Sequence, residues 1–291
     1  MTLRPHLDEV DGTPTPQNAP GAAPVQPRKD RAIGVRIFMT DRMWPIHVIN
    51  LAENTVRLDN VRRQLDAQGL AFERIDAVNG WALSEQDITQ VYDAKRNRRY
   101  ARHDLVPAEI GCYLSHIDAW KRIAEGDGAG GFIFEDDFET DDTLAEVLAA
   151  LAGDGGTDWD MVKLFTFDPD AALVAERELP GALRLVVPYR VPTCLIGYGL
   201  TRDAARKLVD RAVPFFRPVD EDQKYFWETG LRVALALPAP IKVGDQQTTT
   251  GTIGDARRAA SKGGLWRAWR GLRTQLTYQL KLRWYRWKGI R

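Results

Sequence analysis

The sequence has little cysteine: Cys112 and Cys194 are the only two, far apart, with no CxxC or Cys/His ligand spacing around either. That argues against a disulfide framework and a structural zinc site, and predicts reduced thiols in a cytosolic protein. No run of about 18 apolar residues occurs, so no spanning helix is predicted. The opening residues lack the basic-then-apolar order of a secretory signal. Also missing are a GxSxG elbow, an HExxH helix and a GxxxxGK phosphate loop, which removes three common hydrolase and nucleotidase chemistries. Gly126 to Gly131 is Gly-rich but has no phosphate-loop pattern, and reads as a tight turn.

Net charge is absent too, with 40 Lys+Arg against 40 Asp+Glu, but the zero is a sum of two opposite parts. Residues 256–291 hold 11 Lys and Arg and no Asp or Glu, which leaves residues 1–255 with a net of 11 negative charges. At the other end, residues 1–31 carry six of the 16 prolines and little apolar content. Such a segment buries too little surface to offset its ordering entropy, so residues 1–42 are expected to be a disordered tail.

From Trp44 the pattern changes. Ile46 to Leu51 reads as a buried strand, Asn54 to Gln68 as a helix with apolar residues at helical spacing, and Phe72 to Ile75 as a second strand. Further helices are expected near Ala108–Ala124, Asp142–Leu151, Arg202–Arg211 and Glu221–Glu228. Strands are expected near Phe132–Phe134, Met161–Phe165, Leu183–Val187, Cys194–Leu200 and Val233–Leu237. This alternation predicts an α/β domain over 43–255, with a mostly parallel sheet flanked by helices. Ligands of such sheets bind beyond the carboxyl ends of the strands.

The sharpest chemical signal is Phe132-Ile133-Phe134-Glu135-Asp136-Asp137, an apolar strand ending in three carboxylates. Adjacent anions repel each other, and a bound cation relieves the cost. Oxygen ligands suit Mg²⁺ or Mn²⁺, and Glu135-x-Asp137 would form a DxD-like pair able to hold a metal beside a nucleotide diphosphate. An acidic turn opening a helix at Asp141 and Asp142 is the competing structural reading.

Other fragments occur in order around that strand: Ile46 to Leu51, Arg57, Ile75-Asp76-Ala77-Val78-Asn79-Gly80, Glu109 to His116, Trp159 to Leu164, Gly197 to Thr201, and Pro218-Val219-Asp220. The ordered set, from about Trp44 to Ile253, resembles glycosyltransferase family 25, the lipopolysaccharide and lipooligosaccharide glycosyltransferases that include bacterial β-galactosyltransferases. The resemblance implies a GT-A-like, Rossmann-related fold, a divalent metal (Mn²⁺ or Mg²⁺), a UDP-hexose donor, a glycolipid or oligosaccharide acceptor, and inversion at the anomeric carbon. It places the metal motif on Glu135, Asp136 and Asp137, and donor contacts on Asn50, Leu51, Arg57, Asn79, Ser115, His116 and Lys163. Two positions depart from the family pattern: Asn79 stands where an Asp is usual, and the closing segment reads Thr249-Thr250-Gly251-Thr252-Ile253.

Inversion by single displacement requires a base for the acceptor hydroxyl. Asp220 matches the family's Pro-Val-Asp motif, with Asp222 in reserve; the pair would equally serve to cap a helix. His116, between Leu114 and Ile117, fits a buried hydrogen-bonded histidine as well as a catalytic one.

In the basic tail, residues at 100° steps place Leu265, Trp269, Leu272, Leu276, Leu280, Trp284 and Trp287 on one helical face, with Arg267, Arg270, Lys281 and Lys288 opposite. Trp266, Trp269, Arg270, Trp284 and Trp287 are the expected contacts of an amphipathic helix on an anionic membrane surface. Nucleic acid is the competing partner. The expectation is therefore a peripheral enzyme at the inner face of the cytoplasmic membrane. A catalytically inactive sugar- or nucleotide-binding module on the same fold is the alternative.

Overall fold

The structure is a computed structural model that describes residues 43–244 and 265–290, with side chains from 268 onward in the second span. The predicted tail 1–42 and the closing segment Thr249–Ile253 lie outside the described residues. The strands are β1 (Ile46–Asn50), β2 (Glu73–Asp76), β3 (Gly130–Glu135), β4 (Phe138–Thr140), β5 (Met161–Lys163), β6 (Leu173–Leu179), β7 (Leu183–Pro188), β8 (Gly197–Thr201), β9 (Val233–Leu237) and β10 (Ile241–Val243). The helices are α1 (Thr55–Ala67), α2 (Glu85–Val91), α3 (Ala94–Tyr100), α4 (Pro107–Glu125), α5 (Leu144–Asp154), α6 (Arg202–Val209), α7 (Val219–Asp222), α8 (Phe226–Thr229) and α9 (Leu265–Trp287).

Alternation along the central strands builds the layers, because successive side chains leave a strand on opposite faces. Ile49 of β1, Ile133 of β3, Met161 of β5 and Tyr198 of β8 join one core with Ile110, Tyr113, Ile117 and Trp120 of α4 and Ala204, Ala205 and Leu208 of α6. Val48, Phe132, Phe134 and Val162 join the other, with Val61 and Leu65 of α1 and Leu144, Leu148 and Leu151 of α5. The sheet has eight strands in the order β2-β1-β3-β8-β5-β9-β7-β6. Pairings β1/β2, β1/β3 and β5/β9 are parallel, whereas β7 and β8 run against their neighbours, so six strands point one way. The mostly parallel, helix-flanked sheet expected from the alternation is present. A small antiparallel pair, β4 with β10, continues from the acidic turn.

Several elements differ in detail from expectation. The single helix expected over Glu221–Glu228 is two short ones, α7 and α8, separated at Tyr225. β6, with its exposed alternate residues, pairs only with β7 at the sheet edge; the helices α2 and α3 have few buried residues and thus weak apolar periodicity.

The C-terminal segment is helical, as expected, with its leucine stripe off the body, but Arg270 departs from the expected outer face. The inward line is Arg270, Thr274, Tyr278 and Leu282, all buried. Tyr278 meets Tyr225 and Trp227, and Tyr285 stacks on Trp227 with ring centroids 5.1 Å apart. Arg270, expected on an outer charged face, is turned inward, donating to the Ala101 and Asn97 carbonyls, to the Asn97 side chain and to Asp104 at 3.1 Å. A guanidinium carries five donors in a fork, which suits several carbonyls at once and explains why it is accepted there. Leu272, Leu276 and Leu280 stay outside, with Leu280 68% exposed, and Trp269, Trp284 and Trp287 are exposed beside them. Trp266 lies in the first turn, where side chains are not described. Among the described residues, no helix is long and apolar enough to cross a membrane.

Candidate active site

The site begins at the end of β3. Glu135 closes the strand, and Asp136 and Asp137 form the turn into β4. The middle carboxylate faces back into the protein: Asp136 accepts from Asn50 Nδ2 at 2.7 Å through one oxygen and from Arg57 Nη1 at 3.0 Å through the other. Asn50 reaches it because β1 lies parallel beside β3 with Ile49 in register with Glu135. The Asn50 amide oxygen in turn accepts from Arg74 Nε at 3.0 Å. Two predicted donor-binding residues, Asn50 and Arg57, thus converge on the middle acid of the predicted metal motif and neutralise it. Leu51 follows them, half-buried, at the strand end.

Glu135 is held differently. Its Oε1 lies 3.1 Å from His116 Nε2, whose other ring nitrogen is 2.8 Å from the Tyr198 hydroxyl; that oxygen also accepts from Trp120 Nε1 at 2.8 Å. One proton assignment satisfies the whole line. The carboxylate needs a donor, so His116 carries its proton on Nε2; its Nδ1 then accepts from Tyr198 O–H, and Tyr198 accepts from the indole. His116, Tyr198 and Trp120 are all fully buried, so this line fixes how Glu135 is aimed.

A second group of side chains enters from the neighbouring strands. Lys163, the last residue of β5, is fully buried and donates Nζ to the Pro192 carbonyl. Burial lowers its pKa to about 8, opposed by Cys194 and by the charges of Asp220 and Glu135. Cys194 holds a left-handed backbone, φ 74°, and its N–H donates to Asp220 Oδ2 at 3.3 Å. For a residue with a Cβ that conformation is strained, and strain of this kind collects at functional sites. Burial first, then Glu135, pushes the Cys194 thiol up to about 12. The Cys112 thiol is raised by burial and then by the charges of Glu135, Asp220, Asp137 and Glu109.

Asp220 and Asp222 sit on the same turn of α7 but differ in their use. Asp220 accepts from two backbone N–H groups, those of Cys194 and Glu221. Asp222 is committed to side chains, accepting from Tyr113 O–H and from Arg217, each at 2.8 Å. Ser115 and Asn79 are structural ties: Ser115 Oγ donates to Gly111 O and accepts from Val78 N–H, and exposed Asn79 caps the short turn Gly80–Ala82. That loop lies directly on α4, since a Cβ on Gly111 would come within 2.4 Å of the Val78 carbonyl oxygen.

The residues fit a divalent cation in part of the expected manner. Glu135 and Asp137 supply hard oxygens at the end of β3, while both oxygens of Asp136 are already bonded. A softer set, Cys112 Sγ with His116 and Glu135, lies within 4.8 Å and shares Glu135. Sequence reasoning passed over Cys112; its place four residues before His116, on the same face of a helix, was the available signal.

The family model described as Glycosyltransferase family 25 (LPS biosynthesis protein) matches residues 43–222. Procollagen galactosyltransferase 1-A of Xenopus laevis is 32% identical over 191 residues, covering 60% of this chain and 30% of that protein. Inactive glycosyltransferase 25 family member 3 of Mus musculus is 27% identical over 268 residues, covering 80% and 44%. Procollagen galactosyltransferase 2 of Mus musculus is 28% identical over 191 residues, covering 60% and 29%. The chain therefore spans less than half the length of these relatives. With the match over most of the described body and the acidic strand end at its centre, the chain belongs to glycosyltransferase family 25.

Proposed function

We propose that this chain is an inverting, metal-dependent glycosyltransferase that moves galactose from UDP-galactose to a lipooligosaccharide or related glycan acceptor in cell-envelope polysaccharide synthesis. The observation that carries this reading is the acidic end of β3, where His116 holds Glu135 at 3.1 Å and Asp137 lies buried in the turn, with Lys163 buried at the end of β5. The relatives named as galactosyltransferases support the sugar, and the family description supports the acceptor class.

Mn²⁺ or Mg²⁺ held by Glu135 and Asp137 would supply Lewis-acid stabilisation of the leaving diphosphate. The chain's own residues do the rest. Asn50 and Arg57 hold Asp136 and so fix the turn; His116 fixes Glu135; Lys163 adds positive charge among these acids, where negative charge grows on the leaving group. Asp220 takes the acceptor hydroxyl proton as the oxygen bonds to the sugar carbon on the face opposite the departing diphosphate. Asp222, tied to Arg217 and Tyr113, holds α7 in place.

The outward face of α9 is read as the contact with an anionic membrane at the cytoplasmic side. Its support is the exposed Leu272, Leu276, Leu280 and Trp287, together with a segment of 11 cations and no acid. A second reading, a silent sugar- or nucleotide-binding module, is favoured by the relatives named inactive.

UDP-galactose hydrolysis and transfer to a membrane glycolipid extract, followed by product mass, separates the two. Turnover that needs Mn²⁺ and is lost in Asp137→Ala supports the enzyme. Binding without turnover across a panel of nucleotide sugars and divalent metals leaves the module.

A further inference from the structure

A cavity of about 380 Å³ lies where α9 meets the body, walled by Arg96 and Tyr100 of α3, Phe216, Tyr225, and Tyr278 and Lys281 of α9, with Arg217 also lining it. Its size falls within the roughly 300–1,000 Å³ of ligand pockets.

Its lining holds three cations, Arg96, Arg217 and Lys281, and one acid, Glu228. The cations are not equivalent. Arg217, almost fully buried, is answered by Asp222 at 2.8 Å and Glu228 at 2.6 Å, and lies 3.6 Å above the Tyr225 ring centroid. Lys281 is half-exposed and 3.9 Å from a Glu228 oxygen that Arg217 does not use. Arg96 forms no ion pair among the described residues, its charge being felt only at longer range by Asp222, and its guanidinium rests over the Phe216 ring at 4.2 Å. A guanidinium so placed keeps a fork of N–H donors suited to a carboxylate or phosphate. Phe216 is buried with Arg217 also over its ring at 4.3 Å, so the aromatic surface open to the C–H face of a sugar ring is that of Tyr100, 48% exposed and edge-on to Phe216.

The cavity wall is tied to the turn that carries Asp220. Arg217 bonds Asp222, two residues after Asp220 on the same helical turn. We propose that this cavity is a distal acceptor subsite for an anionic saccharide, with a carboxylate or phosphate held between Arg96 and Lys281 and the sugar ring against Tyr100. The inference rests on the glycosyltransferase reading for the word acceptor, though not for the binding of an acidic sugar. It also gives α9 a second role: its inner face completes the subsite while its outer face meets the surface.

The test is calorimetric binding to the full chain, with no donor present, of a galacturonic acid trimer, a galactose trimer bearing a 6-phosphate, a neutral galactose trimer, and inorganic phosphate. Binding of the acidic trimers at least about tenfold tighter than the neutral one is expected, with Arg96→Gln and Lys281→Gln each weakening it by about tenfold, the size of one lost charge-assisted contact. The trimer that binds more tightly identifies the anion as carboxylate or phosphate. UDP binding, which these exposed side chains do not serve, should be unchanged in both variants. Equal affinity for acidic and neutral trimers overturns the proposal, as does acidic binding indifferent to the double variant Arg96→Gln/Lys281→Gln. Inorganic phosphate binding as tightly as the phosphorylated trimer overturns its saccharide part. Acidic-trimer binding lost in the double variant, in a protein that turns over no nucleotide sugar, would keep the subsite and defeat the glycosyltransferase reading instead.

Discussion

The acidic turn after β3 and the basic helix α9 are both dense blocks of one charge, and the fold handles them in opposite ways. In the turn, one of three carboxylates is spent internally: Asp136 is bonded to Asn50 and Arg57, while Glu135 is aimed by His116 and Asp137 lies buried beside them in sequence. The repulsion is concentrated at a buried location, where it costs stability unless a cation or a substrate cation equivalent answers it. In α9, repulsion is dispersed. Arg270 and Arg286 are drawn inward onto backbone carbonyls, as in the 2.7 Å bond from Arg286 to Pro188, and Lys281, Arg283 and Lys288 remain in solvent. Charge concentrated against solvation suits chemistry; charge spread along a solvated face suits recognition of an extended anionic partner.

Substitutions at the two blocks should separate accordingly. Asp137→Ala and Asp220→Asn are each expected to lower the transfer rate by about 10²–10⁴-fold in steady-state assays with little change in melting, as losses of electrostatic stabilisation and of a base do. Asp136→Ala should do the reverse of Asp137→Ala in kind: removing the acceptor shared by Asn50 and Arg57 is expected to cost about 3 kcal/mol in urea unfolding. If Asp136→Ala leaves stability intact while abolishing metal-dependent turnover, the division of labour within the turn is wrong.

At the helix, Leu282→Ala, at a fully buried position, should cost about 2–5 kcal/mol by the same measurement. Leu276→Glu with Leu280→Glu, both on the exposed side, should leave stability and donor hydrolysis unchanged but release the protein from phosphatidylglycerol vesicles in co-sedimentation. Vesicle binding that survives this pair sinks the membrane reading of α9.

The smallest effect expected is a pH limb. Because burial lowers the Lys163 pKa from 10.5 to about 8, its charge is lost in the folded protein as pH rises through that value, and kcat/KM should fall on the alkaline side with a midpoint near it. Stability moves the other way: between about 8 and 10.5 the unfolded chain binds more protons, so the burial cost of the charged lysine is present below the window and relieved across it. In Lys163→Met both pH dependences should disappear.

Much of this was legible in the sequence because it is local. The strand cores follow from alternation, the acidic strand end from three adjacent letters, α9 from its spacing, and the ordered fragments of the body from their sequence alone. The edge strand β6 and the helices α2 and α3 were not legible, since few of their residues are buried and apolar periodicity is therefore weak; the caps at Ser84 and Asp93 start the two helices instead. The face α9 turns inward was also hidden, because nothing in its spacing marks Tyr278, Tyr285 and Arg270 as the groups that match the aromatic rings and carbonyls of the body.

The sequence by itself determined which kinds of group this protein carries and in what order: an acidic body, a carboxylate cluster at a strand end, a basic helix. Only the tertiary structure decided how each group is used. Asn50 is 86 residues from Asp136, Tyr113 is 109 from Asp222, and Arg270 is 169 from Ala101. Which carboxylate is neutralised, and which is left for chemistry, depends on partners that only folding brings within about 3 Å, the range over which a hydrogen bond acts.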